Sequence, residues 1–221
     1  MLFSSFVKRS VFTGALSLIG FASVFGGSSS QAAVINGGFE TGDFSGWETI
    51  GNTSVNNNEA FLSAYGADDT DLETFLGLSA GSLDRINNVD ATNGSAIKQT
   101  IVAKAGDVLS FDWLFKAEDY LPFNDFSFYT ISSEAYKLAD VFQVGDYGQT
   151  ASQTSYTFKE AGTYTLAFGV LNVFDQAGSP SLKVDNVKLT SVPEPGSMLG
   201  LLAVGAVGAT SLMKRKKQLK A

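Results

Sequence analysis

Residues 33–191 of this 221-residue sequence predict an antiparallel β-sandwich. Three observations carry that reading. Apolar side chains recur with period two in several segments, clusters of Gly, Asn, Asp and Ser separate those segments, and a single stretch has helical spacing.

Taken in order, the segments read as follows. Asn52 to Glu59 is rich in Asn and predicts a surface loop, as does Gly81 to Gly94. Between them Thr70-Asp71-Leu72-Glu73 has the spacing of a capping box, with Thr70 as N-cap and Glu73 reaching back, opening a short helix through Phe75, Leu76 and Leu78. The acids Asp68, Asp69 and Asp71 suit a helix N-terminus and lack the spacing of a calcium loop. Val108 to Ala117 alternates Leu109, Phe111, Trp113 and Phe115 with Ser110, Asp112 and Lys116, which is the pattern of a half-buried strand. Asp125 to Ile131 and Gln153 to Phe158 alternate likewise, and Thr163 to Phe174 places Tyr164, Leu166, Phe168 and Val170 on one face. The turns Ala105-Gly106-Asp107 and Glu160-Ala161-Gly162-Thr163 precede two of these strands. In Leu182 to Leu189 the inward parity slips by one residue at Asp185-Asn186, and a bulge absorbs such a slip.

Both ends of the chain read as addresses. Lys8-Arg9, the apolar run Val11 to Phe25 and the small-residue exit to Ala33 form a secretory signal peptide over residues 1–32, cut by signal peptidase after Ala32. The C-terminal segment 192–221 has three parts. Val192-Pro193-Glu194-Pro195 is held extended by its prolines. Residues 198–213 are uncharged, and as a helix they would rise about 24 Å, just enough to cross a membrane with snorkelling lysines. Lys214-Arg215-Lys216-Lys217 then stays cytoplasmic, leaving everything before Pro193 outside. This order of parts resembles the PEP-CTERM sorting signals of exported bacterial proteins. The resemblance implies recognition by a membrane enzyme of the exosortase type, processing near the Pro-Glu-Pro, and delivery to the cell surface, outer envelope or extracellular matrix. An ordinary membrane anchor on a proline-rich stalk is the plainer reading of the same residues.

Composition excludes several functions. The eight basic and 21 acidic residues between the two ends leave a charge of −13, so nucleic acid is excluded as a partner. The sequence has no Cys and no His, which removes disulfides, Ser-His-Asp and Cys-His catalysis, and any conventional zinc site.

Two stretches at opposite ends of the domain sharpen the fold. Asn36-Gly37-Gly38-Phe39-Glu40 through Trp47 resembles the opening of galactose-binding-like jelly rolls, the fold of many carbohydrate-binding modules, and Leu182 to Leu189 resembles their closing strand. Gly94 to Thr100 and the Phe111-Asp112-Trp113 strand are similar to the same domains. The resemblance implies a jelly roll with a structural Ca²⁺ held by Glu40 and Asp185 and by backbone carbonyls near Asn36 and Asp43. Read without it, Glu40 caps the Thr41-Gly42 turn and Asp185 binds backbone N–H groups in the bulge.

A sugar site needs exposed rings beside polar groups. Trp47, Tyr65, Tyr120, Phe123 and Tyr129 supply rings, but Trp47 and Trp113 have the positions of core residues. The apolar loop Tyr120-Leu121-Pro122-Phe123-Asn124, with Asp125, is therefore the expected contact surface for an extracellular polysaccharide, and packing of the loop on the domain is the plainer reading of the same residues. The expected function is that of a non-catalytic, structural or glycan-associated exported protein, with a lectin-like carbohydrate-binding module as the alternative. A glycoside hydrolase would have to run on carboxylates alone, and no pair, such as Asp112 with Glu118, stands out.

Overall fold

The computed structural model describes residues 33–192, so the signal peptide, the Pro193-Glu194-Pro195 motif and the 198–213 span lie outside the described residues. No helix among the described residues is long and apolar enough to cross a membrane. In chain order the elements are β1 (Glu48–Ile50), β2 (Asn52–Asn56), β3 (Glu59–Ser63), β4 (Ala67–Asp68), α1 (Asp69–Leu76), α2 (Ser82–Asn87) and β5 (Ala91–Ala103). There follow β6 (Val108–Lys116), β7 (Phe126–Ile131), β8 (Glu134–Asp140), α3 (Val141–Val144), β9 (Gln149–Thr157), β10 (Gly162–Val173) and β11 (Ser181–Thr190).

The strands form two antiparallel sheets. The first runs β1-β5-β10-β7-β8, with β4 also on β5, and the second runs β2-β3-β11-β6-β9. Their inner faces meet over Leu62, Ile97, Leu109, Phe111, Phe115, Phe168, Val170, Leu182 and Val184, all fully buried. Each such side chain contributes roughly 1.5–3 kcal/mol by leaving water. Phe111 meets Phe168 edge-on at 4.7 Å, and Phe168 meets Trp47 at 5.9 Å, so the opening segment is stapled to the centre of the core.

The sheets differ on their outer faces. Helices α1 and α2 cover the first, packing Leu72, Leu76 and Leu83 over Phe126, Phe128, Ala167 and Leu171. With Phe126 and Phe128 in that second cluster and Tyr129 and Ile131 in the core between the sheets, all six residues of β7 are buried, where alternation predicted a half-buried strand. Among the described residues nothing comparable covers the second sheet: β6 alternates half-buried and buried residues from end to end.

Several local expectations are corrected. The N-cap of α1 is Asp68, whose side chain makes no cap bond, and Thr70 lies inside the helix. Glu73 does not reach back. It is buried, and its carboxylate accepts the N–H groups of Gly81 and Leu83, capping α2 instead. The segment 81–94 thus contains a helix and the start of β5, and the domain has three short helices where one was expected. The segment 52–59 is a hairpin: Asn57 and Asn58 both take left-handed backbone, at φ 53° and 63°, which joins β2 to β3 in two residues. At Asp185 the β11–β6 register does shift, with Asn186 at φ 53°, where the parity slip placed a bulge.

Candidate functional site

Strand register fixes which loops share an end of the sandwich. Lys116, the last residue of β6, faces both Gln149, which opens β9, and Ser181, which opens β11. The connections 117–125, 141–148 and 174–180 therefore emerge together. The tail leaves from the other end: Thr190 of β11 pairs with Val108, and the Val192 N–H donates to Asp107 Oδ1 at 3.3 Å.

At the loop end stands a group of exposed rings. Tyr120 (45% exposed) lies edge-on to Phe123 at 5.6 Å and tilted by 39° to Tyr147 (61% exposed) at 6.0 Å. Two backbone N–H groups hold these loops together, Tyr147 N–H donating to Asp119 C=O at 2.7 Å and Leu121 N–H to the Asp146 side chain at Oδ1 at 3.2 Å. The Leu121-Pro122 peptide is cis. Leu121 is exposed beside Tyr120, and Phe174 is exposed too, its N–H donating to Asp90 C=O at 2.9 Å.

The four ligand candidates from the sequence thus separate. Tyr120 is exposed, and Phe123 is half-buried behind it. Asn124 is structural: its amide donates to Asp140 Oδ2 at 3.3 Å and accepts the Phe142 N–H at 2.8 Å. Asp125 is wholly buried beneath the loop, so direct ligand contact through it is corrected. Of the other rings, Trp47 and Tyr129 are buried, with the Trp47 indole N–H donating to Ile35 C=O at 3.1 Å, and Tyr65 is exposed. Trp113 is buried too and donates to Thr154 Oγ1 at 2.8 Å.

The second region is the junction of the opening segment with the closing strand. A Cβ on Gly38 would stand 3.9 Å from Asp185 Oδ1 and 4.0 Å from Glu40 Oε1, so the two carboxylates flank one point. Burial raises the Asp185 carboxyl above its ordinary range, and the charges of Glu59, Asp112 and Glu40 add to this. These neighbours make the junction hospitable to a cation. The carbonyls expected to complete the shell already have protein donors. Asn36 C=O accepts the Phe39 N–H at 3.2 Å and the Trp47 indole at 3.3 Å, and Asp43 C=O accepts the Asn36 amide at 2.9 Å. Among the described residues no three acidic side chains converge as metal ligands.

The open face of the second sheet adds a cleft of about 450 Å³ lined by Glu59, Asp112, Trp113, Lys183, Asp185 and Asn186. Its charges are mutually engaged. Lys183 pairs with Glu59 at 2.7 Å, and Asp112 accepts from Gln153 and Asn186, each at 2.9 Å. Glu118 pairs instead with Lys116 beyond the end of β6, so Asp112 and Glu118 do not form a facing pair.

Residues 191–216 match the PEP-CTERM protein-sorting motif. The chain is an exported precursor carrying that signal. No curated protein matches the sequence. Among solved structures the chain is similar to TmCBM61 in complex with β-1,4-galactotriose, at 14% identity and TM-score 0.42, over 74% of this chain and 100% of that one. It is also similar to the CBM22-1 xylan-binding domain of Paenibacillus barcinonensis Xyn10C, at 14% identity and TM-score 0.38, over 75% of this chain and 99% of that one. A third is the N-terminal cellulose-binding domain of Cellulomonas fimi β-1,4-glucanase C, at 13% identity and TM-score 0.36, over 73% of this chain and 99% of that one.

Proposed function

We propose that this protein is an exported, non-catalytic component of the cell surface or extracellular matrix that touches polysaccharide through its loop end. The observation that carries the reading is the position of Tyr120 and Tyr147, exposed together at the end of the sandwich opposite the exit of the sorting tail. A ring pair tethered by the tail would face away from the membrane. Aromatic faces stacked on sugar rings, with nearby polar groups such as the Asp146 carboxylate, are the usual chemistry of such contacts. Signal peptidase and an exosortase-type enzyme act on the two ends in this account. A glycan array probed with the full chain in detergent tests it. Saturable binding that free oligosaccharide competes is expected, whereas a purely structural spacer gives none.

A structural Ca²⁺ between Glu40 and Asp185 forms the second part of the proposal, supported by the approach of both carboxylates to Gly38. The ion would fasten the opening segment to the closing strand and would relieve the repulsion between the two carboxylates. With the Asn36 and Asp43 carbonyls each engaged by two protein donors, the remaining positions would fall to water.

A further inference from the structure

Two fully buried oxygens at the loop end have no hydrogen-bond partner: Oδ2 of Asp125 and Oδ1 of Asn172. They belong together. In the β7–β10 register Phe126 faces Leu171, so Asp125 and Asn172 are the next pair outward. Their parity is that of Ser127 and Tyr129 on one strand and of Phe168 and Val170 on the other, which points both side chains between the sheets. Every other polar atom of the two side chains is committed. Asp125 Oδ1 accepts the Val173 N–H at 2.9 Å, and the Asn172 amide donates to Asn93 Oδ1 at 3.1 Å.

Two acceptors facing one space need a positive or proton-bearing partner. Two further acids, Asp119 and Asp175, stand close enough for their charges to act on Asp125. Asp119 is nearly buried, and its Oδ2 lies 2.8 Å from where a Cβ on Gly178 would stand, which sets it against the loop that carries Asp175. After desolvation, which raises the Asp125 carboxyl, the charges of Asp119 and Asp175 push it higher. All of these donors are oxygen, and the charge is in excess on the negative side.

We infer that Asp125 and Asn172, with Asp119 and Asp175 nearby, form a site for a hard divalent cation of the calcium class, separate from Glu40 and Asp185. Since the acids do not converge by themselves, the Asn172 amide oxygen and backbone carbonyls complete the shell. The ion clips the 117–125 connection, and with it Tyr120, to the 174–180 connection. The site stands whether or not those rings meet sugar.

The competing occupant is a proton shared between Asp125 Oδ2 and Asn172 Oδ1. Calcium titration by calorimetry and thermal melting of the full chain in detergent separates the two. A Glu40→Gln, Asp185→Asn background silences the other candidate site. Saturable binding with a rise in Tm is expected, and adding Asp125→Asn should weaken affinity about tenfold or more. Asn172→Asp supplies another carboxylate, so it should tighten binding and make the melting temperature depend on calcium, which covers the case of an unstable Asp125→Asn chain. Absence of calcium binding in the background chain, or affinity and Tm responses indifferent to both substitutions, overturns the inference and leaves the shared proton.

Discussion

Glu73 on α1 caps Leu83 on α2: its carboxylate accepts the Leu83 N–H at 2.9 Å from a position 3% exposed. The second oxygen takes the Gly81 N–H, also at 2.9 Å, so one buried charge fastens both helices that cover the first sheet. Hydrogen bonds to a charged group contribute ~1.5–3 kcal/mol each, and Glu73→Ala leaves both donors without their acceptor. A loss of about 3 kcal/mol in urea unfolding is expected, with Glu73→Gln costing less. A change below about 0.5 kcal/mol would show that the clip is idle.

Gly169 faces Phe128 across the β10–β7 pair, and a Cβ there would fall on the Phe128 ring. Gly169→Ala should cost about 1–3 kcal/mol through overpacking under the helices. Trimming the ring in the Gly169→Ala, Phe128→Leu double variant should recover part of that loss. Fully additive losses would place the strain elsewhere.

Two buried carboxylates give opposite pH dependences. Asp125 is raised to about 8, by desolvation first and then by the charges of Asp119 and Asp175. Without a cation the folded chain therefore holds a proton that the unfolded chain, with a carboxyl near ~3.9, releases. Its contribution is greatest below the unfolded value and is lost as pH climbs to about 8. At Asp140 burial opposes ionisation, yet the Lys137 ammonium at 2.5 Å and the Gln143 N–H at 2.9 Å hold it below the ordinary range. That contribution is present above the unfolded value and vanishes as pH falls through the folded one. Urea unfolding in chelator should show Asp125→Asn flattening the decline as pH rises toward about 8 and Asp140→Asn flattening the decline at acid pH. Unchanged slopes in either variant would contradict the assignment.

Much of this architecture was legible because burial leaves a period. The alternation in 108–117 and the parity slip at Asp185 each reported a sheet face that one core constrains. The period was ambiguous in β7, because α1 and α2 cover its second face and no local residue announces them. Polar composition hid α2 and the β2–β3 hairpin, where Asn and Ser serve as cap and turn chemistry inside regular structure. At the candidate site Tyr120 was readable and Tyr147 was not, because only the Lys116-Gln149 register brings Asp146-Tyr147-Gly148 alongside. The burial of Asp125 was available from parity, since it continues the inward series of Ser127, Tyr129 and Ile131.

Asp185 distinguishes an occupied junction from an empty one by sign. In chelator, Asp185→Asn removes a carboxylate crowded by Glu40, Glu59 and Asp112, and should leave Tm unchanged or higher. In calcium the same substitution removes a ligand and should lower Tm. Melting curves in both buffers check this, and an identical shift in the two would argue for the Asn36 and Asp43 turn as a purely hydrogen-bonded structure.

In the function proposed above, polysaccharide meets the loop end and not the open sheet face. Affinity electrophoresis of the full chain in detergent through gels containing the polysaccharide of its own matrix measures this directly. Tyr120→Ala with Tyr147→Ala should abolish retardation while leaving Tm within a few degrees, since both rings are exposed. Asp112→Asn in the open-face cleft should leave retardation intact. Retardation that survives loss of both tyrosines and disappears with Asp112→Asn would instead assign the contact to the open sheet face.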